Sequence, residues 1–319
     1  MRDRHELPQG HITRRRAIGF AATLVAGSML GTARSAARQG TPDPPVPQRD
    51  STTHAAALVD VDWLMANRTD PSTRVVGLMP ADEFEAAHIP GSTQVDWPEL
   101  ELVDTSDASV ANWRTETERR LKGLGIAPGD TVVAYDNDTL FAARLWWVLR
   151  YLGHADVHVL DGGLAAWQEA GEPAQAGPSP ETDLALAAHG GTPNQAALAQ
   201  LDEVMGWLGD SDVVIVDART PDEYAAGHIP GAVNINYPLN AEPSSPHYWK
   251  SAGVLRAMYL EAGVTPDRLI VPYCSSGVRS AVTAFTLHHL GYERVALYTG
   301  SWQEWESVPT TPRTTGSQP

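Results

Sequence analysis

The chain carries one cysteine, Cys274, in the stretch Leu269-Ile270-Val271-Pro272-Tyr273-Cys274-Ser275-Ser276-Gly277-Val278-Arg279-Ser280. The apolar run, the small-residue loop and the renewed apolar periodicity predict a buried strand, a tight turn and an amphipathic helix. A thiol at such a junction sits where backbone N–H groups converge and the helix dipole is positive. That setting favours the thiolate, the nucleophilic form. Gly277 lets the loop turn tightly, and Arg279 supplies a cation within the same loop. Together they could form a covalent adduct on sulfur, with the N–H groups of Ser275 through Ser280, Ser276 and Val278 included, ringing the resulting anion. A single cysteine makes no intramolecular disulfide. It is a buried hydrophobe, an intermolecular bridge or a reactive thiol.

The elements that must hold this loop are legible as an internal repeat. Glu83-Phe84-Glu85-Ala86-Ala87-His88-Ile89-Pro90-Gly91 recurs as Glu223-Tyr224-Ala225-Ala226-Gly227-His228-Ile229-Pro230-Gly231. Val132-Val133-Ala134-Tyr135 recurs as Ile270-Val271-Pro272-Tyr273, and Asp161-Gly162-Gly163 through Trp167 as Thr299-Gly300-Ser301 through Trp305. A period this long means duplicated domains and not a solenoid. In the second copy Val213–Val216, Ala232–Ile235, Leu269–Tyr273 and Val295–Tyr298 read as strands. Thr220-Pro221-Asp222-Glu223 opens a helix with an N-cap residue, Pro at the first position and acids in the first turn. Val254 to Ala262 reads as another, ended by Gly263. Alternation of this kind predicts an α/β fold: two tandem domains, each a parallel sheet flanked by helices. Catalytic loops in such sheets sit at the carboxyl ends of strands, where Cys274 falls.

At 319 residues the chain accommodates two domains: residues 57–175, a linker at 176–197 and residues 198–310. A net charge of −16 argues against nucleic acid or an anionic membrane as partner. Residues 1–37 hold six Arg and two acidic residues, so residues 38–319 carry 17 basic against 37 acidic residues, or −20. An anionic substrate must then be held by local groups against the overall field. Arg14-Arg15-Arg16 precedes a short apolar, Ala/Gly-rich run and small residues at Ser35 and Ala37, the layout of a cleavable export signal over 1–37. The arginines resemble a twin-arginine signal, which implies a periplasmic or extracellular protein exported folded. The apolar run is too short for a spanning anchor. The Pro-rich segment 38–56 reads as a disordered linker. No Cys/His spacing of a metal site is visible, and no metal or cofactor is expected.

The order Asp217-Ala218-Arg219, Glu223-Tyr224, Gly227-His228-Ile229-Pro230-Gly231-Ala232, Cys274-Ser275-Ser276-Gly277-Val278-Arg279 and Gly300 to Trp305 resembles the rhodanese family of sulfurtransferases. The resemblance covers residues 57 to 308. It implies a sulfurtransferase of the thiosulfate or 3-mercaptopyruvate type, whose cysteine carries a persulfide between a small anionic donor and a thiol or cyanide acceptor. It also implies a first copy, without the chemistry, packed over the second. Asp136 stands at the Cys274 position and Gly77 and Met79 replace Asp217 and Arg219, so that copy cannot hold a persulfide. Phosphatases of similar loop place their arginine one position further from the cysteine, and the smaller ring here suits a single sulfur.

The neutral Ser275-Ser276 are like those of mercaptopyruvate enzymes, whereas Arg279 departs from them and no longer arginine-containing insertion follows Arg219. Thiosulfate is therefore the favoured donor, with mercaptopyruvate transfer and a non-catalytic persulfide carrier as the alternatives. Arg219 is a candidate substrate contact, with an ion pair to Glu223 as its other explanation. Arg144 could present charge toward the cleft, or serve at the surface or between helices. Lys250 could be solvated, His228 reads as a turn residue, and Trp167 and Trp305 as core aromatics. The protein is expected to be monomeric.

Overall fold

Uninterrupted β-branched and apolar runs become strands buried on both faces, and these build two parallel sheets. The structure, a computed structural model, describes residues 57–180 and 191–319. The stretches read as export signal and disordered linker lie outside the described residues. Strands β1 (Leu58–Val59), β2 (Thr73–Leu78), β3 (Thr93–Val95), β4 (Thr131–Tyr135) and β5 (Val157–Leu160) form the first sheet, in the order β1-β5-β4-β2-β3. Strands β6 (Val213–Asp217), β7 (Val233–Asn234) and β8 (Leu269–Tyr273) form the second, in the order β7-β6-β8. All pairings are parallel, with Asp217 opposite Tyr273 at the carboxyl edge. The α/β architecture in two tandem copies is therefore as the repeat predicts.

Val295–Tyr298 departs from expectation. It runs beside β8 and bonds to it (Ala296 N–H to Ile270 O and Tyr298 N–H to Pro272 O, 3.0 Å each), yet makes only an isolated bridge. Pro272 has no N–H, so the ladder lacks the donor that would close it. Ala134, at the same place in the first copy, keeps that donor, and β4 and β5 pair fully. The segment is a strand in position and not in bonding.

One apolar cluster runs through both copies and their seam, taking in Val76, Trp146, Trp147, Val216, Phe285 and Leu297, while each copy has a second cluster on its outer sheet face. The helices Ala142–Tyr151 and Val278–His289, the two that follow the loops at Asp136 and Cys274, pack against each other across the seam. Trp146 meets Phe285 edge-on at 5.1 Å. Trp167 and Trp305 are fully buried, each donating its indole N–H to a carbonyl, of Pro173 and Pro312. Polar bonds add register to the seam: Glu304 accepts from the Thr105 N–H (2.6 Å) and hydroxyl, Thr299 donates to Leu102 O (2.6 Å), and the Trp249 N–H donates to Asp161 (2.9 Å).

Candidate active site

Strand β8 ends at Tyr273 and the helix Val278–His289 begins four residues after Cys274, so the loop between them is short enough to fold onto the thiol. Cys274 is fully buried. Two bonds from the next helix, Ser301–Ser307, shape the loop: Trp302 N–H donates to Cys274 O and Gln303 N–H to Ser275 O, 3.0 Å each. A trans peptide directs its C=O and N–H oppositely, so anchoring these two carbonyls turns the Ser275 and Ser276 N–H groups to the other side. The Gly277 N–H points at the Cys274 sulfur, 3.1 Å away. Gly277 has φ +94, and a Cβ there would lie 2.9 Å from Thr299 O, so this position requires glycine on two counts.

The sequence reading missed Ser301. Its hydroxyl accepts from the Cys274 N–H at 3.1 Å and donates to Tyr298 O, and its φ of +56 is unusual for serine. The repeat held the signal. Gly163, its counterpart, takes φ +53, and a Cβ there would lie 2.4 Å from Asp136 O. The second copy accepts a left-handed serine, a strain of about 1–3 kcal/mol, to hold the cysteine backbone.

Arg279 is less free than the sequence implied. It forms a bidentate pair with Glu223 (2.8 Å on each arm) and also bonds the Ser275 hydroxyl. It therefore clamps the loop to the helix Pro221–Ala226, leaving only part of its donor fork for an anion. The Arg279 hydrogen bonds first of all, aided by those from Thr220, pull Glu223 down from an ordinary 4.5 to about 2. A depressed carboxyl pKa stabilises the fold above the ordinary value and loses that contribution as pH falls through the lowered one. The clamp should thus be intact above about pH 4.5 and open as pH falls toward 2. Thermal stability should fall across that window, and fall less in Glu223→Gln. Equal acid sensitivity of the two proteins would contradict this.

Arg219 corrects an expectation. Its guanidinium is 3 % exposed and committed elsewhere: bidentate to Asp217 (2.6 Å at Nη2), to Gly227 O (2.7 Å), and over the Trp302 ring at 4.6 Å. Burial opposes its charge, but the Asp217 pair outweighs it and raises the Arg219 pKa. The partner is Asp217 and not Glu223, and Asp217 also accepts from the Tyr273 hydroxyl at 2.6 Å. Arg219 braces the strand ends beneath the loop through these partners. Of the other loop residues, Ser276 and Val278 are buried, and Ser280 is buried with no partner for its hydroxyl among the described residues. His228 stacks on Tyr224 at 3.7 Å and bonds Tyr224 O, a turn residue as read. Lys250 holds Leu239 O at 2.9 Å and is not simply solvated.

The first copy shows what fills such a loop when no cysteine is present. Asp136 folds its own carboxylate into the ring: Oδ1 accepts from Thr139 N–H (2.8 Å) and Leu140 N–H (3.2 Å), Oδ2 from Ala142 N–H (2.8 Å). Burial raises the Asp136 pKa and these three bonds work against that shift. The loop N–H groups are thus spent on an internal anion, which explains in physical terms why this copy offers no cradle. Asp136→Ala leaves three backbone donors without their acceptor. It should destabilise the protein by about 2–4 kcal/mol, read as a lowered Tm. An unchanged Tm would refute the plug.

A buried thiol on a parallel-strand end, met by the Gly277 N–H and followed by a loop that the Arg279–Glu223 pair clamps, defines a candidate anion site on a duplicated α/β scaffold. The family model for the rhodanese-like domain matches residues 60–170 and 200–308, and the chain belongs to that family, in two copies. It is 33% identical over 298 residues to the sulfur carrier protein TtuD of Thermus thermophilus, covering 83% of this chain and 99% of that protein. It is 34% identical to the thiosulfate sulfurtransferase of Azotobacter vinelandii, over 78% of this chain and 93% of that one. Among solved structures, SseA from Escherichia coli, described as a 3-mercaptopyruvate sulfotransferase, aligns with TM-score 0.68 and 28% identity over 78% of this chain and 99% of that chain.

Proposed function

We propose that this protein is a thiosulfate sulfurtransferase working through a Cys274 persulfide. The observation that carries the reading is the Gly277 N–H directed at the Cys274 sulfur within a loop whose carbonyls are anchored elsewhere. The Cys274 thiolate attacks the outer sulfur of thiosulfate; the S–S bond of the donor breaks, its electron pair leaves with sulfite, and the sulfur remains as Cys–S–S⁻. The charge on that terminal sulfur is met by the loop N–H groups and by Arg279. A thiophilic acceptor, cyanide or a thiol, then attacks the outer sulfur and restores the thiolate. Because Cys274 has no exposed surface, both half-reactions require the residues around it to move. The net negative charge keeps the anionic donor dependent on these local groups.

Two alternatives have specific support. The neutral Ser275-Ser276 pair favours mercaptopyruvate as donor, and likeness to a protein named a sulfur carrier favours delivery to a partner. Steady-state turnover with cyanide separates them. We expect thiosulfate to give the higher kcat/KM than mercaptopyruvate, whereas the reverse order would move the donor assignment. Acceptance of one sulfur without turnover on either donor would favour the carrier. The same reading places the protein outside the cytoplasm, as a monomer, after removal of residues 1–37. Exported material whose N-terminus lies upstream of Arg16 would count against that.

A further inference from the structure

Glu304, on the helix Ser301–Ser307, is buried and reaches out of its own copy. Its Oε1 accepts from the Thr105 N–H at 2.6 Å, and the Thr105 hydroxyl lies 2.8 Å from Oε2 and 3.0 Å from Oε1. Thr105 belongs to the first copy and is itself buried. Its hydroxyl also accepts from the Leu201 N–H at 3.0 Å, and its carbonyl from the Gln200 side-chain amide at 2.8 Å. A buried carboxyl group is tolerated only where donors meet it, and here the first copy supplies them.

The repeat marks this glutamate as particular to the second copy. Ala166 stands at its place in the first copy, three residues after Gly163, as Glu304 stands three residues after Ser301. Both exchanges fall on the helix that anchors the cysteine loop. Ser301 bonds the Cys274 N–H, and the Trp302 and Gln303 N–H groups hold Cys274 O and Ser275 O. The three anchors and Glu304 are consecutive in the chain. Seven residues are too few for a helix to hold itself in place. The buried Trp305 sets how deeply it packs, but apolar burial is non-directional, so hydrogen bonds must fix its sliding and rotation. Glu304 makes those bonds to the first copy, and Thr299, just before the helix, adds one to Leu102 O at 2.6 Å.

We infer that Glu304 is a positioning residue for Cys274: gripped by Thr105 of the first copy, it fixes the helix whose N–H groups and serine hydroxyl set the backbone of the cysteine loop. The copy without a cysteine thereby holds the loop of the copy that has one. The Cys274 and Ser275 carbonyls are turned toward this helix, so the N–H groups that follow them are turned the other way. Losing the grip on Glu304 lets both peptides rotate. The inference rests on the Cys274 thiolate being the working form, as in the proposed function.

The test is a pH titration of the single thiol, followed by the ultraviolet absorbance of the thiolate against a Cys274→Ser blank, in Glu304→Ala and Glu304→Gln. Neither variant carries the Glu304 charge, so the difference between them reports its hydrogen bonds alone. Gln keeps a carbonyl oxygen for the Thr105 N–H, and Ala is what the first copy carries at this place. The Glu304→Ala midpoint should lie about one pH unit above that of Glu304→Gln, because a thiolate is less stable once its N–H donors scatter. A role in stability alone would lower Tm and leave the midpoints equal, and equal midpoints would overturn the inference. If Glu304→Ala does not fold, Thr105→Ala and Thr105→Ser decide: the midpoint should rise in the first and recover in the second, and equality would again overturn it. Failure of both Glu304→Ala and Thr105→Ala to fold would leave only a fold-holding role and overturn it as well. The titration needs no sulfur donor, so this inference and the thiosulfate reading fail separately.

Discussion

Replacing Gly277 with Ala should lower kcat/KM for thiosulfate by about 10²–10³-fold while leaving a folded protein. Two independent observations require this. A left-handed φ of +94 is disfavoured by about 1–2 kcal/mol for a residue with a Cβ. The added carbon would also sit 2.9 Å from Thr299 O, a backbone atom that Leu102 holds from the other side. The loop must therefore shift, and the N–H now 3.1 Å from the Cys274 sulfur moves with it. Losing one preorganised donor to a developing anion typically removes 10²–10³ in rate. Tm should fall by only a few degrees, because the loop is a small part of the core. Equal kcat/KM in Gly277→Ala and wild type would show that the ring geometry does not matter to turnover.

Replacing Cys274 with Ser should abolish turnover, by on the order of 10⁴-fold or more, with little change in fold. The serine oxygen can accept the Gly277 N–H in place of sulfur and occupies a smaller volume, so the buried site stays satisfied. What disappears is the nucleophile: an alkoxide is not accessible at neutral pH, and no second thiol exists in the chain to substitute for it. Residual turnover above about one per cent of wild type would mean that another group carries the sulfur.

Most of the scaffold was legible because it is repeated and because strands buried on both faces are written as continuous apolar runs. Leu269–Tyr273 and Val213–Asp217 stand where such runs place them. Val295–Tyr298 was misread because strand bonding depends on the partner, and Pro272 on β8 lacks the N–H the pairing needs. The cysteine loop was legible from spacing alone, since strand, loop and helix are consecutive in the chain. Partners far apart in sequence were not. Glu223 lies 56 residues from Arg279 and takes both arms of it, while Arg219, read as a substrate contact or a partner of Glu223, is paired two residues away with Asp217. Arg144 shows the same limit: read as facing the cleft or serving at the surface or between helices, it is fully buried, bonded to Leu100 O 44 residues away. Ser301 could have been found by asking why the repeat exchanges Gly163 for a serine.

The two loops also explain each other. In the first copy the ring closes on a carboxylate from its own chain, and in the second the same ring is offered to a sulfur. The helix after Asp136 begins six residues on and the helix after Cys274 only four, and in this shorter loop the Gly277 N–H points at the sulfur. Sulfur transfer is then a consequence of which anion the ring is left to bind.

The central claim is that one sulfane sulfur from thiosulfate comes to rest on Cys274, and intact mass of the protein after brief thiosulfate treatment tests it most directly. Wild type should gain the mass of one sulfur, lose it again on addition of cyanide, and gain nothing when Cys274 is replaced by Ser. No gain in wild type, or a gain that persists in Cys274→Ser, would contradict the account.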